Sequence, residues 1–200
     1  MKIFVTVLVS AIVFFTLQNI IPTQDEFEIY DATVRLHVLA NSDSEQDQAL
    51  KLKVRDELLN TVKEYSVNSK EEAIEKIEEN KEYLIKIAED VVKKEGKAYP
   101  VDIEIGKEYY QTRYYEDFAL PAGEYTSVRV IIGEGEGQNW WCVMYPPLCT
   151  GAAIGYDDEA YLEVGLTKGQ YNLITENQSG ECKIKFKLLE IAAEAFGIEY

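Results

Sequence analysis

The stretch Val34 to Leu59, VRLHVLANSDSEQDQALKLKVRDELL, constrains the fold more than any other part of the chain. It opens with apolar side chains at every second position, Val34, Leu36, Val38 and Ala40, the pattern of a strand with one face against a core. It then changes to helical spacing at Leu50, Val54, Leu58 and Val62. Between the two periods lies Asn41-Ser42-Asp43-Ser44, whose short oxygens can bond their own backbone and the first unpaired amides of a helix. Ser44 and Asp47 stand at capping-box spacing. The stretch predicts a strand, a tight turn and a capped helix. His37, the only histidine of the chain, shares its face with Arg35 and Leu39, opposite the apolar set. A strand end beside a polar turn is a common place for an active site. No cysteine or second histidine lies near in sequence, however, so a structural or partner-facing role fits His37 better.

The elements that follow are legible in outline. The first helix is expected from about Asp47 to Tyr65, with Lys51, Lys53, Arg55 and Glu57 on its wetter side. Ser69 and Glu72 form a second capping box, after which Ala73, Ile74, Ile77, Leu84, Ala88, Val91 and Val92 keep a helical stripe until Gly96. Two helices joined by a short polar break predict an antiparallel hairpin. From Pro100 the period becomes two at Val101, Ile103 and Ile105, and the tract Tyr109 to Tyr115 continues the β character. Leu120 to Gly123 reads as a turn. Glu124 to Ile132 and Gln138 to Tyr145 read as a hairpin closed by Gly133-Glu134-Gly135-Glu136-Gly137. That loop is no phosphate cradle: its spacing is not G-x-G-x-x-G, no helix follows, and its two glutamates repel phosphate. A last helix is expected from Lys183 to Phe196, ended at Gly197. The order predicts an α+β fold: an antiparallel or mixed sheet with a helical hairpin and a C-terminal helix.

Charge and the amino terminus bear on the compartment. Thirty-six acids against twenty bases leave a net charge of −16, which repels nucleic acid and anionic lipid at long range. Lys2 precedes a dense apolar run, Ile3 to Leu17, and no charged side chain occurs from Ile3 to Gln24. Residues 1–24 thus read as an export signal. The end, Leu17 to Pro22, has no small-residue cleavage site, so an uncleaved membrane anchor fits as well as a signal peptide. Residues 25–200 are expected to form one extracytoplasmic domain.

The run Asn139 to Cys149, NWWCVMYPPLC, is the most informative for chemistry. Adjacent tryptophans in a strand point to opposite faces, so Trp140 or Trp141 lies away from the core unless both faces are covered. An exposed aromatic beside Tyr145-Pro146-Pro147 suits a contact anchor as well as a core filler. In an exported protein Cys142 and Cys149 can close a small disulfide loop, leaving Cys182 over. The enzyme reading is a cell-envelope cysteine hydrolase with Cys142 or Cys149 as nucleophile and His37 as base. The missing nucleophile elbow and metal-ligand spacing weigh against catalysis, and no metal, cofactor or small-molecule substrate is indicated. An exported structural or adhesive module is the remaining class.

Two blocks, HVLANSDSEQDQALKLKVRD and GEGQNWWCVMYPPLC, are long and unusual in composition. With the residues around them they resemble the stage II sporulation protein R family of endospore-forming bacteria, over most of the chain after residue 30. The resemblance implies a signal made in the forespore and exported into the space between forespore and mother cell. There it would trigger a membrane-embedded aspartic protease, stage II sporulation protein GA, to process the precursor of sigma-E, without being an enzyme itself. On this reading the contact surface is expected at His37, Asn41, Asp43 and Asp47 together with Trp140, Trp141, Tyr145, Pro146 and Pro147. Membrane contact would come from the amino-terminal segment if it stays uncleaved.

Overall fold

The computed structural model describes residues 29–65, 67–115 and 118–146, together with residues 166, 167, 170, 174 and 175. They gather into two compact units. One holds residues 30–108 and 124–146 with 166 and 167; the other holds residues 29, 109–115, 118–123, 170, 174 and 175. The expected leader, the Cys149 end of the aromatic run, Pro147, Cys182 and the expected last helix lie outside the described residues.

The first unit is a mixed sheet with helices on one face. β1 (Val34–Leu39) leads through the polar turn into α1 (Glu45–Lys63). Ser44 caps that helix: its backbone is extended and its Oγ accepts the Asp47 amide at 3.2 Å. Glu45 and Asp47 in the first turn favour the positive end of the helix dipole. α2 (Lys70–Glu79) starts the same way, Ser69 Oγ accepting from the Glu72 amide at 3.1 Å. The stripe expected to run unbroken to Gly96 is interrupted. Asn80 lies between α2 and α3 (Lys81–Lys94), and its Nδ2 donates to the Lys76 carbonyl at 2.8 Å, a side-chain bond that competes with a continuing helix. Gly96 at φ +74° ends α3, with its own amide on Lys93 O and the Lys97 amide on Val92 O, the paired bonds of a left-handed cap.

The four strands lie in the order β2 (Val101–Tyr110), β5 (Gly123–Ile132), β1, β6 (Asn139–Tyr145). β1 is parallel to β5 and antiparallel to β6. This corrects the expected hairpin: β5 and β6 run in opposite senses but do not pair, because β1 lies between them. A strand as apolar on one face as β1 gains most from a central place, where the whole of that face is covered. Val34, Leu36 and Val38 are 0% exposed. They join Leu50, Val54 and Leu58 of α1, Ile77 of α2, Leu84, Ala88 and Val92 of α3, and Ile103, Val128, Val130 and Cys142 of the neighbouring strands in one core. The burial of roughly 1.5–3 kcal/mol per large aliphatic side chain holds helices and sheet together.

In the second unit β3 (Arg113–Tyr114) and β4 (Ala119–Leu120) form a short antiparallel pair, so the tyrosine tract breaks after β2 rather than continuing as one strand. Tyr115 and Phe118 stack with ring centres 4.4 Å apart at the turn, and the Tyr115 amide donates to Phe118 O at 2.8 Å.

Candidate functional site: the outer sheet face and its loop end

The face of the sheet turned away from the helices carries the polar side chains that the period-two pattern assigned to it. His37 stands opposite Arg129 on β5 and Trp141 on β6. Its Nδ1 lies 2.8 Å from Glu108 Oε1 and its Nε2 lies 2.9 Å from Asn139 Oδ1. Trp141 stacks on the ring, centres 5.3 Å apart and planes 19° from parallel. Glu108 is held in turn by Ser127, whose hydroxyl donates to Oε2 at 2.7 Å. Arg129 extends the ladder: its Nη1 donates to Glu104 Oε2 at 3.0 Å, and its Nε is 3.9 Å from Glu108 Oε1. Each ring nitrogen is engaged by one of these partners, and His37 is 5% exposed. Further along β1 the face is closed, with Arg35 0% exposed, its Nε donating to Cys142 O at 3.2 Å and its guanidinium 4.9 Å from the Tyr125 ring centre.

The loop between β5 and β6 has to cross the end of β1, and the polar turn after β1 receives it. Asn41 Oδ1 accepts the Glu134 amide at 3.1 Å, Asp43 Oδ1 accepts the Gln138 amide at 2.7 Å, and Ala40 O accepts the Gly137 amide at 2.9 Å. Lys51 donates to Gln138 O at 2.6 Å and to Gln48 Oε1 at 2.6 Å. Far from the wetter side of α1, Lys51 is buried, and burial pulls its ammonium below the ordinary lysine range. The crossing is close enough to demand glycine: a methyl group at Gly137 would overlap the Ser42 carbonyl, and Gly133 and Gly135 take positive φ. Asp47 anchors the turn from beneath. Ser42 Oγ and Asn41 Nδ2 donate to its Oδ2 at 2.6 and 3.0 Å, and Lys97 Nζ is 3.7 Å from Oδ1. These bonds, Ser42 first, hold its carboxyl below the usual range against the opposing effect of burial.

The two blocks picked out in the sequence are therefore joined in space. Of the expected contact residues, His37 and Asp47 are buried, Asn41 is half-buried and bonded to the loop, and Asp43 is exposed with one oxygen used. Trp140 is 38% exposed on the helix side of β6, where the Arg55 guanidinium lies 4.3 Å from the centre of its ring. Tyr145 is half-buried and Pro146 buried at the far end of β6. Burial raises the Tyr145 phenol above its ordinary range, with the Glu72 and Glu71 carboxylates adding to it. Glu108, Ser127, Asn139 and Lys51 belong to the network although the sequence reading did not single them out. Each is a polar residue on a strand or helix that reads as an ordinary wetted position, and only the strand order reveals its partner.

Cys142 pairs opposite Leu36 on the core side of the sheet and is 2% exposed. His37 projects from the other side, so the pair Cys142 and His37 does not meet. The expected disulfide and the alternative nucleophile both depend on Cys149, outside the described residues. Among the described residues no cluster of histidine, cysteine, aspartate or glutamate could hold a metal ion, and no helix is long and apolar enough to cross a membrane.

Comparison with known proteins covers both blocks. The model of the family described as Stage II sporulation protein R (spore_II_R) matches residues 30–154. A protein named Stage II sporulation protein R, from Bacillus subtilis (strain 168), is 34% identical over 188 residues, covering 84% of this chain and 83% of its own length. No solved structure was found to match. The matched span contains both blocks and the network that joins them, and the chain belongs to the stage II sporulation protein R family.

Proposed function

We propose that this protein is an exported, non-enzymatic signal that activates a membrane-embedded aspartic protease, stage II sporulation protein GA, so that the protease processes the sigma-E precursor in the mother cell. The observation that carries the reading is the state of His37. Both of its ring nitrogens are occupied, by Glu108 and Asn139, its face is covered by Trp141, and the nearest cysteine in the strand pairing lies across the sheet. Such an imidazole braces a surface better than it transfers protons, since a general base must have a nitrogen within reach of substrate. Residues 1–24 supply export, with the body acting in the space between forespore and mother cell. Family membership supports the sporulation role.

On this reading the partner meets the loop end of the sheet. Trp140, Asn139 and Asp43 touch it; His37, Asn41, Asp47 and Trp141 hold that end in shape; Tyr145, Pro146 and Pro147 are proposed as a further part of the contact. The test is co-production of the exported chain with the protease and its sigma precursor in a non-sporulating host. Cleavage that requires this chain, and persists when Cys142, Cys149 and Cys182 are all serine, is the expected result. Cleavage that is independent of a folded, exported chain would sink the reading.

A further inference from the structure

Going beyond the loop-end contact, we propose that the outer edge of β2 takes up an extended segment of a partner protein as an added antiparallel strand, in which apolar side chains alternate with lysine or arginine. β2 stands outermost in the sheet, on the side away from β6, and among the described residues no strand lies beyond it. Its backbone has a fixed sense. Pro100 O, just before the strand, accepts the amide of Gly133, just after β5, at 2.9 Å, so the even-numbered groups of β2 face β5. Backbone groups alternate along a strand, and those of Val101, Ile103, Ile105 and Lys107 therefore face outward. Arg129 reaches both Glu104 and Glu108, which keeps these even-numbered side chains on one face and the alternation unbroken between them.

A second observation shows what this edge binds. The Asp102 carboxylate folds back on the Ile103 amide, whose N–H donates to Oδ1 at 2.8 Å. That is the distance of a ladder hydrogen bond, so the chain's own carboxylate stands where an added strand would set its backbone carbonyl. A carbonyl arriving there releases Asp102, whose side chain is 63% exposed and otherwise has only Lys81 at 4.0 Å, to meet a cation on the incoming strand. Beyond this plug the edge is little guarded, since β2 holds no proline and a single lysine, Lys107. Gly106 leaves a notch on the outer face between Glu104 and Glu108, with nothing within 4 Å of where a side chain would begin. A glycine inside a strand suits the close approach of another chain.

Charge selects the occupant. The outer face of β2 presents Asp102, Glu104 and Glu108. A second copy of β2 laid antiparallel on the first would set these carboxylates opposite one another, which destabilises a sheet. A strand with lysine or arginine at alternate positions complements them, and the net charge of −16 draws it in. Its remaining side chains fall on the face of Ile103 and Ile105. Ile105 is half-buried at the rim of the core, so apolar residues beside it extend that core. The edge from Val101 to Lys107 is about 20 Å long at about 3.4 Å per residue, which fits a segment of about seven residues.

The probe is the acetylated, amidated peptide Lys-Val-Lys-Val-Lys-Val-Lys, titrated by calorimetry into the full-length chain. Two isomers of equal composition and charge accompany it, one N-methylated at its valines and the other at its last three lysines. In an antiparallel pair the valines, on the face of Ile103 and Ile105, turn their amides to β2, and the lysines turn theirs away. Methylated valines are expected to weaken binding about tenfold and methylated lysines less than about threefold. Hydrogen exchange locates the contact: the peptide should slow the amides of Ile105 and Lys107 about tenfold. Lys107→Pro, which removes an outward donor and no bond to β5, should weaken binding about tenfold, and Lys107→Ala, which keeps the donor, less than about twofold. Equal binding of the two isomers would overturn the inference by reducing it to bulk charge; so would no binding at all, or slowing confined to other amides. Precursor cleavage enters none of these readouts, so their failure removes the added strand and leaves the signalling role standing.

Discussion

At the scale of single residues, the buried polar groups act mainly by holding other groups in place. Asp47 is the clearest case, since one carboxylate oxygen gathers Ser42 and Asn41, and Asn41 in turn gathers the loop. Its carboxyl is held below 3.8, mainly by those two hydrogen bonds. The folded form therefore binds a proton less readily than the unfolded chain, and the stability this supplies is full above the ordinary carboxylate range. It drains away as the pH falls through 3.8 and below. Asp47→Asn should cost about 2 kcal/mol at pH 7, the scale of charge-assisted bonds left imperfect in a buried place. The deficit should shrink as the pH is lowered below about 4, where the wild-type carboxyl protonates as well. Denaturant melts at pH 7 and pH 3 measure this, and an undiminished deficit at pH 3 would remove the charge from the explanation. Lys51 works by the same logic with the opposite group. Lys51→Met keeps the apolar stem but strips the donor from Gln138 O, a loss of about 1–3 kcal/mol visible as a lower denaturation midpoint. The sequence hid both roles, for a lysine at a helical i, i+4 position beside charged neighbours looks like a solvated one. Only the loop that arrives from residue 138 makes it buried.

Elements were read well where one local signal decided them, and poorly where a distant partner did. The alternation of β1, the Ser44 and Ser69 caps and the Gly96 stop each depend on a few neighbouring residues, and each is found in the structure. The break at Asn80 was missed because the apolar stripe continues across it; an asparagine inside a stripe signals nothing until its amide is seen on Lys76 O. The β5–β6 hairpin was misread for a related reason. Two antiparallel strands joined by a glycine-rich loop pair directly in most proteins, and nothing in either strand announces that a third will slide between them. The glycines did carry the information, in their number: a loop that must clear a strand and pack on its turn needs closer approach than a two-residue hairpin. Gly137→Ala tests that account. The added methyl meets a backbone carbonyl, which cannot rotate aside, so overpacking should cost about 1–3 kcal/mol. At about 2–4 °C per kcal/mol for a chain of this size, a lowered melting temperature of several degrees is expected. Gly106→Ala, where a methyl meets nothing within 4 Å, is the control and should stay within about 1 kcal/mol.

For the whole molecule the dominant fact is charge. A net of −16 over 200 residues sets carboxylates against one another wherever they are not paired, and ion pairs such as Lys53–Glu95, Lys76–Glu79 and Arg129–Glu104 relieve only some of them. Self-repulsion is stronger in the compact state than in the expanded one, so screening it should favour folding. At about 0.15 M salt the screening length is about 8 Å, against about 30 Å at 0.01 M, which covers most distances between surface carboxylates in the second case and few in the first. Raising the salt across that range should therefore raise the melting temperature by several degrees, a gain of about 1–2 kcal/mol. Thermal melts over one salt series would show this trend. A melting temperature that fell with salt would mean that attractive pairs such as Lys53 with Glu95 and Arg129 with Glu104 outweigh the excess of acids.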